Sequence, residues 1–335
     1  MIRLLHKGLP LEGCHSSYSA NPFSPEELTS SPLCPQGATV DMFRPLHNSP
    51  LPCLELTEPA DTISHFSAQD ENSRPIYLAG TCTSSLDAAR ALANAGMFPV
   101  WGSLIVLNQT AGRGQLGHTW KSPVGNLYVS LRLPLEGPFV GTSAAPALGA
   151  LLVRAFNLLG YPVFMKWPND LVFCRTKGSS NWHKTGGILL EERPVFPAHA
   201  GKKRENMLVA GIGINLVSSP SANEMRRGHA MPAGCLPALP DKTEAPLSLV
   251  DLWTQLVNRV FSCYVEAELA KNSQKWLDFV TDKLAFGGEM VLLEDGCSDQ
   301  ECHTGFLLGL DESGGIRLLC QNKVCVFHSG SLRTI

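Results

Sequence analysis

The stretch Gly112 to Trp120, GRGQLGHTW, limits what this chain can fold into more than any other. It places three glycines, a cation and a tryptophan between an apolar run, Val100 to Leu107, and the alternating segment NLYVSLRL that ends before Pro134. Both flanks read as strands. Glycine admits positive φ and close backbone approach, and successive N–H groups in a turn form a donor nest, so the loop can hold an anion, with Arg113 adding full charge. Gly112, Gly114 and Gly117 also spell G-x-G-x-x-G, the dinucleotide fingerprint. That fingerprint must open a helix and be followed about 20 residues later by an acid meeting the ribose. Here Pro123 and Gly125 break any helix, and Glu136 follows a second strand rather than closing a βαβ unit.

Around this loop the chain divides into three. Residues 1–75 form an arm rich in Pro and Ser without sustained periodicity, expected to be loosely ordered. Its prolines at 22, 25, 32, 35, 45, 50, 52 and 59 leave no room for a DNA-reading helix-turn-helix. Residues 76–284 begin with a short strand, a polar turn and a helix whose apolar positions are Leu86, Ala89, Leu92 and Ala93. Ser84 or Ser85 suits the N-cap and Gly96 the stop; the serines serve as caps alone or also as ligand contacts, because a helix N-terminus offers donors.

Thr142 to Gly160 reads as a buried helix, and YPVFMKWPNDLVF as two strands joined by a turn at Trp167 to Asp170. Lys184 stands at the mouth of the strand KTGGILLEE, with Gly186 and Gly187 behind it. In NMLVAGIGINL, Gly211 and Gly213 share one face and clear room for something to lie flat on the sheet. Ser248 caps a helix running to about Leu269, and a second helix is expected over Gln274 to Leu284. Residues 285–335 carry only strand patterns with Gly-rich turns, as in a small barrel.

A net charge of −3 gives no broad basic field for nucleic acid, and no apolar run reaches the roughly 18 residues of a spanning helix. The opening MIRLLHKGLPLEG is too short in its apolar run for a good secretion signal. Eleven cysteines without a C-x-x-C pair indicate reduced thiols in a cytoplasm. Cys297, Cys302, Cys320 and Cys325 have a spacing that zinc could use, but Cys320 and Cys325 would face opposite sides of a single strand, and half-buried free thiols account for them.

The motifs AGRGQLGHTW, KWPND, KTGGILLEE, GIGINL and a closing GSLR occur in that order, and through them the chain from about Ile76 onward resembles the biotin protein ligases. The resemblance implies an α+β fold. Residues 76–284 would be a catalytic domain of mixed β-sheet and helices, like that of class II aminoacyl-tRNA synthetases, and 285–335 an SH3-like C-terminal barrel. It implies a two-step reaction: biotin and ATP give biotinyl-5′-AMP and pyrophosphate, and a lysine of a biotin carboxyl carrier protein or domain then takes the biotinyl group. ATP and biotin are the implied substrates, Mg2+ accompanies ATP, and no resident metal, DNA or membrane partner is implied.

Carried over residue by residue, the resemblance makes Lys184, Arg113 and Asp170 catalytic, with Lys184 bridging the biotin carboxylate and the α-phosphate and Asp170 orienting it. Ser84, Ser85 and Gln109 fall to the ureido ring and its surroundings. Gly112, Arg113, Gly114 and Gln115 wrap the valeryl chain and carboxylate, and Gly187 lets the strand of Lys184 approach. Arg113, Asn169 and Asn215 fall to the nucleotide, and Trp120 braces the loop. Gln115 and His118 stand where the family has arginines, and Leu86 where it has an asparagine, so the loop's grip on the acyl-adenylate is expected to weaken. Two rivals share the architecture: a lipoate or octanoyl ligase, whose R-R-x-S-G-G-G-type loop is absent, and a bifunctional ligase and repressor, which the proline-rich arm disfavours.

Overall fold

The computed structural model describes residues 2–4, 48–50, 62–66, 74–96, 98–174, 181–196, 205–221, 223, 231–237, 248–294 and 302–335. The chain folds as two compact units, Met1–Pro134 with Leu189–Gly213 and Lys242–Asn258, and Leu135–Ile188 with Ile214–Asp241 and Arg259–Ile335. The stretch expected as one catalytic domain, 76–284, therefore contributes to both, and residues 285–335 belong to the second.

Most of the expected 1–75 arm lies outside the described residues. Within it are three short strands, β1 (Ile2–Leu4), β2 (Asn48–Pro50) and β3 (Thr62–Phe66). β3 pairs antiparallel with both β1 and β2, and β1 runs parallel to β4 (Ile76–Cys82). The sheet of the first unit continues through β5 (Ser103–Gln109) and β6 (Leu127–Leu133) to β10 (Glu205–Ile214) and β9 (Trp182–Val195). It is mixed, since β4 and β5 are parallel while β5 and β6 are antiparallel. β5 starts later than the apolar run suggested, because Trp101 turns the chain at φ 64°.

Helix α1 (Ser85–Asn94) lays Leu86, Ala89, Leu92 and Ala93 into a core with Tyr77, Phe98, Leu104, Tyr128, Met207 and Val209. Gly96 ends it at φ 72°, as its position in the sequence indicated. Ser84 sits at the N-cap but makes no side-chain capping bond. The amide of Ser85 donates instead to Gln109 Oε1, 2.8 Å away and 24 residues on. Gly211 and Gly213 do clear one face: a Cβ on Gly211 would meet Leu86 at 3.1 Å, and one on Gly213 would meet the indole of Trp120 at 2.6 Å.

In the second unit helix α2 (Ala144–Leu158) is buried on nearly every side, as its composition required, and Gly149 lets it close on Met165 of β7 (Val163–Lys166). β7 and β8 (Asp170–Cys174) form the expected hairpin, with Lys166 opposite Asp170, and β8 pairs with residues 182–187 of β9. Helix α3 (Leu249–Glu266) starts at Ser248, whose Oγ accepts from the Asp251 amide at 3.0 Å. The helix expected over Gln274 to Leu284 shrinks to one turn, α4 (Leu277–Val280), flanked by turns. No helix among the described residues is long and apolar enough to cross a membrane.

The C-terminal residues form an SH3-like antiparallel sheet in the order β14-β13-β12-β11-β15. Its strands are β11 (Met290–Glu294), β12 (Cys302–Leu310), β13 (Ile316–Cys320), β14 (Lys323–Phe327) and β15 (Ser331–Thr334). It is anchored within its unit: Ala285 donates to the Met165 carbonyl at 2.8 Å, and the indole of buried Trp167 donates to the Gly314 carbonyl at 2.8 Å.

Here one expectation is corrected. Gln321 and Asn322 both take positive φ, 48° and 64°, and make a two-residue hairpin where a single strand was read. Cys320 pairs with Lys323 and Leu318 with Cys325, so the two thiols share a face; burial, then the neighbouring Cys325, pushes the Cys320 thiol up. Cys297 lies outside the described residues, and among those described no group of three or more His, Cys, Asp or Glu is placed to hold a metal.

Candidate active site

The residues singled out in the sequence gather into two clusters, one in each unit. In the first, the glycine loop folds back on itself: Gly114 donates to the His118 carbonyl at 2.7 Å and Trp120 to the Gly112 carbonyl at 2.8 Å. Its tip is a turn of Gln115–Gly117 in which Leu116 (φ 54°) and Gly117 (φ 75°) are both left-handed, and Leu116 is 86% exposed. Gly112 cannot be replaced without cost, because a Cβ there would run into the Trp120 carbonyl and the Ser122 hydroxyl. Gln109 ties this loop to the helix start, accepting from Ser85 through Oε1 and donating through Nε2 to Ser122 Oγ at 2.9 Å. Ala111 donates to the Thr83 carbonyl at 2.8 Å, which stitches the loop entrance to the turn carrying buried Ser84 and Ser85.

Arg113 is not an open cation in this arrangement. Its Nη1 and Nη2 form a fork onto Asp87 at 2.7 and 3.0 Å, and Nη2 also reaches Glu191 at 3.1 Å. The hydrogen bonds with Asp87 outweigh burial, and with the charges of Asp87 and Glu191 they hold the guanidinium's pKa above its ordinary value. Nε is buried without a partner. Glu191 is shared with Arg193 at 3.3 Å, so two acids and two guanidiniums face one another. Asp87 and Glu191 were missed in the sequence. A carboxylate in the first turn of a helix reads as a macrodipole partner, and nothing local links it to an arginine 26 residues away.

The second cluster is centred on Asp170. Lys184 Nζ lies 2.6 Å from Oδ1 and Lys166 Nζ 3.6 Å from Oδ2, giving one carboxylate between two ammonium groups. Burial acts to raise the Asp170 pKa, but Lys184 and then Lys166 outweigh it, and the group lies below the usual carboxylate range. The exposures differ: the Lys184 side chain is 31% exposed and that of Lys166 only 8%. Gly187 is the register partner of Asp170, and a bulge between Leu171 and Val172 brings Lys184 opposite Val172. Asn169 pins this edge, since its side-chain Nδ2 donates to the Ile188 carbonyl at 2.6 Å and its backbone carbonyl accepts from the Ile188 amide at 2.9 Å. Buried Asn215 bonds through its backbone to Thr185 and Leu236 at 2.7 Å each, and Lys184 bonds through its backbone to Pro232 and Gly234. Lys166 was read only as a letter of KWPND. The register of the hairpin makes it the partner of Asp170.

Comparisons with known proteins bear on the fold and the family. Residues 101–214 match the Biotin/lipoate A/B protein ligase family. The chain is 28% identical over 219 residues to a biotin–acetyl-CoA-carboxylase ligase of Paracoccus denitrificans, covering 64% of this chain and 82% of that one. It is 34% identical over 124 residues to the bifunctional ligase/repressor BirA of Bacillus subtilis, where only 34% of that protein's length is spanned. Among solved structures, the biotin protein ligase of Aquifex aeolicus in complex with biotin and ATP superposes with a TM-score of 0.58 at 23% identity, over 78% of this chain and 99% of that one. Residues 101–214 are thus a domain similar to the Biotin/lipoate A/B protein ligase family, and the chain has the fold of the biotin protein ligases.

Proposed function

We propose that the chain is a biotin protein ligase. The observation that carries the reading is the Asp170 cluster: two ammonium groups on one carboxylate leave surplus positive charge on the strand pair that holds the KWPND and KTGG motifs. The reaction needs such charge. Bringing a carboxylate and the α-phosphate of ATP to about 4 Å costs roughly 4 kcal/mol at an effective dielectric of 20. A carboxylate oxygen of biotin attacks the α-phosphorus, the bond to the bridging oxygen breaks, and pyrophosphate leaves with that electron pair. In the second step the neutral amine of an acceptor lysine attacks the acyl carbon, AMP departs, and the nitrogen loses a proton.

Lys184 bridges the two anions and stabilises the charge that develops between them, with Asp170 orienting its ammonium. Arg113 takes a carboxylate or phosphate oxygen through its forked donors once it exchanges out of its pairing with Asp87 and Glu191. Ser84, Ser85 and Gln109 serve the ureido end, Gly112, Gly114 and Gln115 the valeryl chain, and Gly187 the approach of Lys184. Asn169 and Asn215 serve the nucleotide while holding their strands, and Trp120 supports the loop. ATP enters as its magnesium complex. The acceptor is a carboxyl carrier protein or domain of a biotin-dependent carboxylase, the division into a 1–75 arm, a 76–284 catalytic domain and a 285–335 barrel describes the working parts, and the reaction belongs to the cytoplasm.

The test is ATP–pyrophosphate exchange with biotin and with lipoate side by side. Biotin-dependent exchange supports the reading, and exchange with lipoate alone overturns it.

A further inference from the structure

We infer that Lys166 is a positioning residue for the adenylation step, one that keeps Asp170 paired while Lys184 leaves it for the reactants. The inference deepens the ligase reading and rests on it. The Asp170 side chain is only 15% exposed, and each of its oxygens faces one ammonium group: Oδ1 faces Lys184 at 2.6 Å and Oδ2 faces Lys166 at 3.6 Å. A carboxylate stripped of its partner in such a place is strongly unfavourable. Were Lys184 the sole partner, moving it onto an anion would leave that bare carboxylate behind. A close charge-assisted bond would then hold the ammonium back. With Lys166 in place the carboxylate stays compensated, and Lys184 can be shared or released.

The two lysines are built for different tasks. Lys166 lies in the β7–β8 hairpin directly opposite Asp170, with its side chain 8% exposed, and among the described residues Asp170 is its ion-pair partner. Lys184 is 31% exposed and has room to reorient. The hairpin turn that fixes Lys166 is itself held by the Trp167 indole on Gly314 and by Asn169 on Ile188. One cation is therefore stationary and the other is the one that works.

The experiment uses the full chain and follows biotin-dependent ATP–pyrophosphate exchange. Exchange by the parent protein is measured first; if it is absent the ligase reading fails, independently of anything at Lys166. Lys166→Met removes the charge and keeps the length, and should lower kcat at least tenfold. Lys166→Met combined with Asp170→Asn also removes the carboxylate that would trap Lys184, and should run at least threefold faster than Lys166→Met alone. A purely structural lysine would give no such recovery. Exchange by Lys166→Met within twofold of the parent, or a double variant no faster than the single one, overturns the proposal. Lys166→Arg keeps the charge and should retain exchange within fivefold. Its loss, whether or not Lys166→Met folds, also overturns the proposal, because charge is all that the position is said to supply.

Discussion

The two clusters hold their cations in opposite ways. At Arg113 a guanidinium is bracketed by the carboxylates of Asp87 and Glu191, and the side chains of Arg113 and Asp87 are 36% and 39% exposed. At Asp170 a single carboxylate, 15% exposed, is bracketed by two ammonium groups. The first arrangement has no positive charge to spare, because Arg193 and Arg113 together only balance their acids. An incoming anion must compete there with the half-exposed Asp87, which is a small barrier, and with Glu191, which at 16% exposure is the firmer partner. The second has a charge in excess, and an anion can be received without breaking every bond of the carboxylate. The difference separates a closure that is easily undone from a permanent electrostatic seat.

The largest effect should come from removing that seat. Asp170→Asn leaves two facing ammonium groups without their counter-ion and should lower the free energy of unfolding by about 3–5 kcal/mol in chemical denaturation; a loss below about 1 kcal/mol would break the contrast between the clusters. Its pH dependence follows from the depressed pKa of Asp170. The stability it contributes is complete above the unfolded-chain value of about 3.9 and is lost as pH falls through the lower folded value, so Asp170→Asn should flatten that acid limb.

Next in size is Lys184→Ala, which should slow adenylation about a hundredfold, the usual cost of deleting a donor aimed at developing charge. Arg113→Ala should slow it at least tenfold, or about 1.4 kcal/mol of transition-state stabilisation. Parental rates in single-turnover assays of both variants would remove the two cations from the mechanism. Smallest of all, Asp87→Asn should cost less than about 1 kcal/mol of stability, because its ion pair is partly solvated. A thermal melt showing a loss as large as that of Asp170→Asn would make the two clusters alike.

Much of this was legible in the sequence where the cause is local. The turn chemistry of Trp167 to Asp170 forced the hairpin, the unbroken apolar content of 144–158 forced a buried helix, and the paired glycines at 211 and 213 marked the surface that the Trp120 indole and Leu86 cover. What escaped depends on partners far apart in the chain or on one unusual turn. Gln109 takes over the capping task expected of Ser84 because the β5 terminus lies beside the helix start, a proximity no window of residues contains. Asp87 and Glu191 become partners of Arg113 only after the loop folds back. Gln321 and Asn322 turned a supposed single strand into a hairpin, and with it put two thiols on one face. Family likeness supplied the names of the reactants; the register of β7 and β8 set Lys166 opposite Asp170.

The indole of Trp167 spans from the KWPND turn to a carbonyl in the last fifty residues of the chain. That bond makes the terminal sheet a keystone rather than an appendage: a shortened protein ending near residue 284 would keep Lys166, Asp170 and Lys184 yet lose the abutment of the KWPND turn, and so would be expected to fail by slackness and not by missing chemistry.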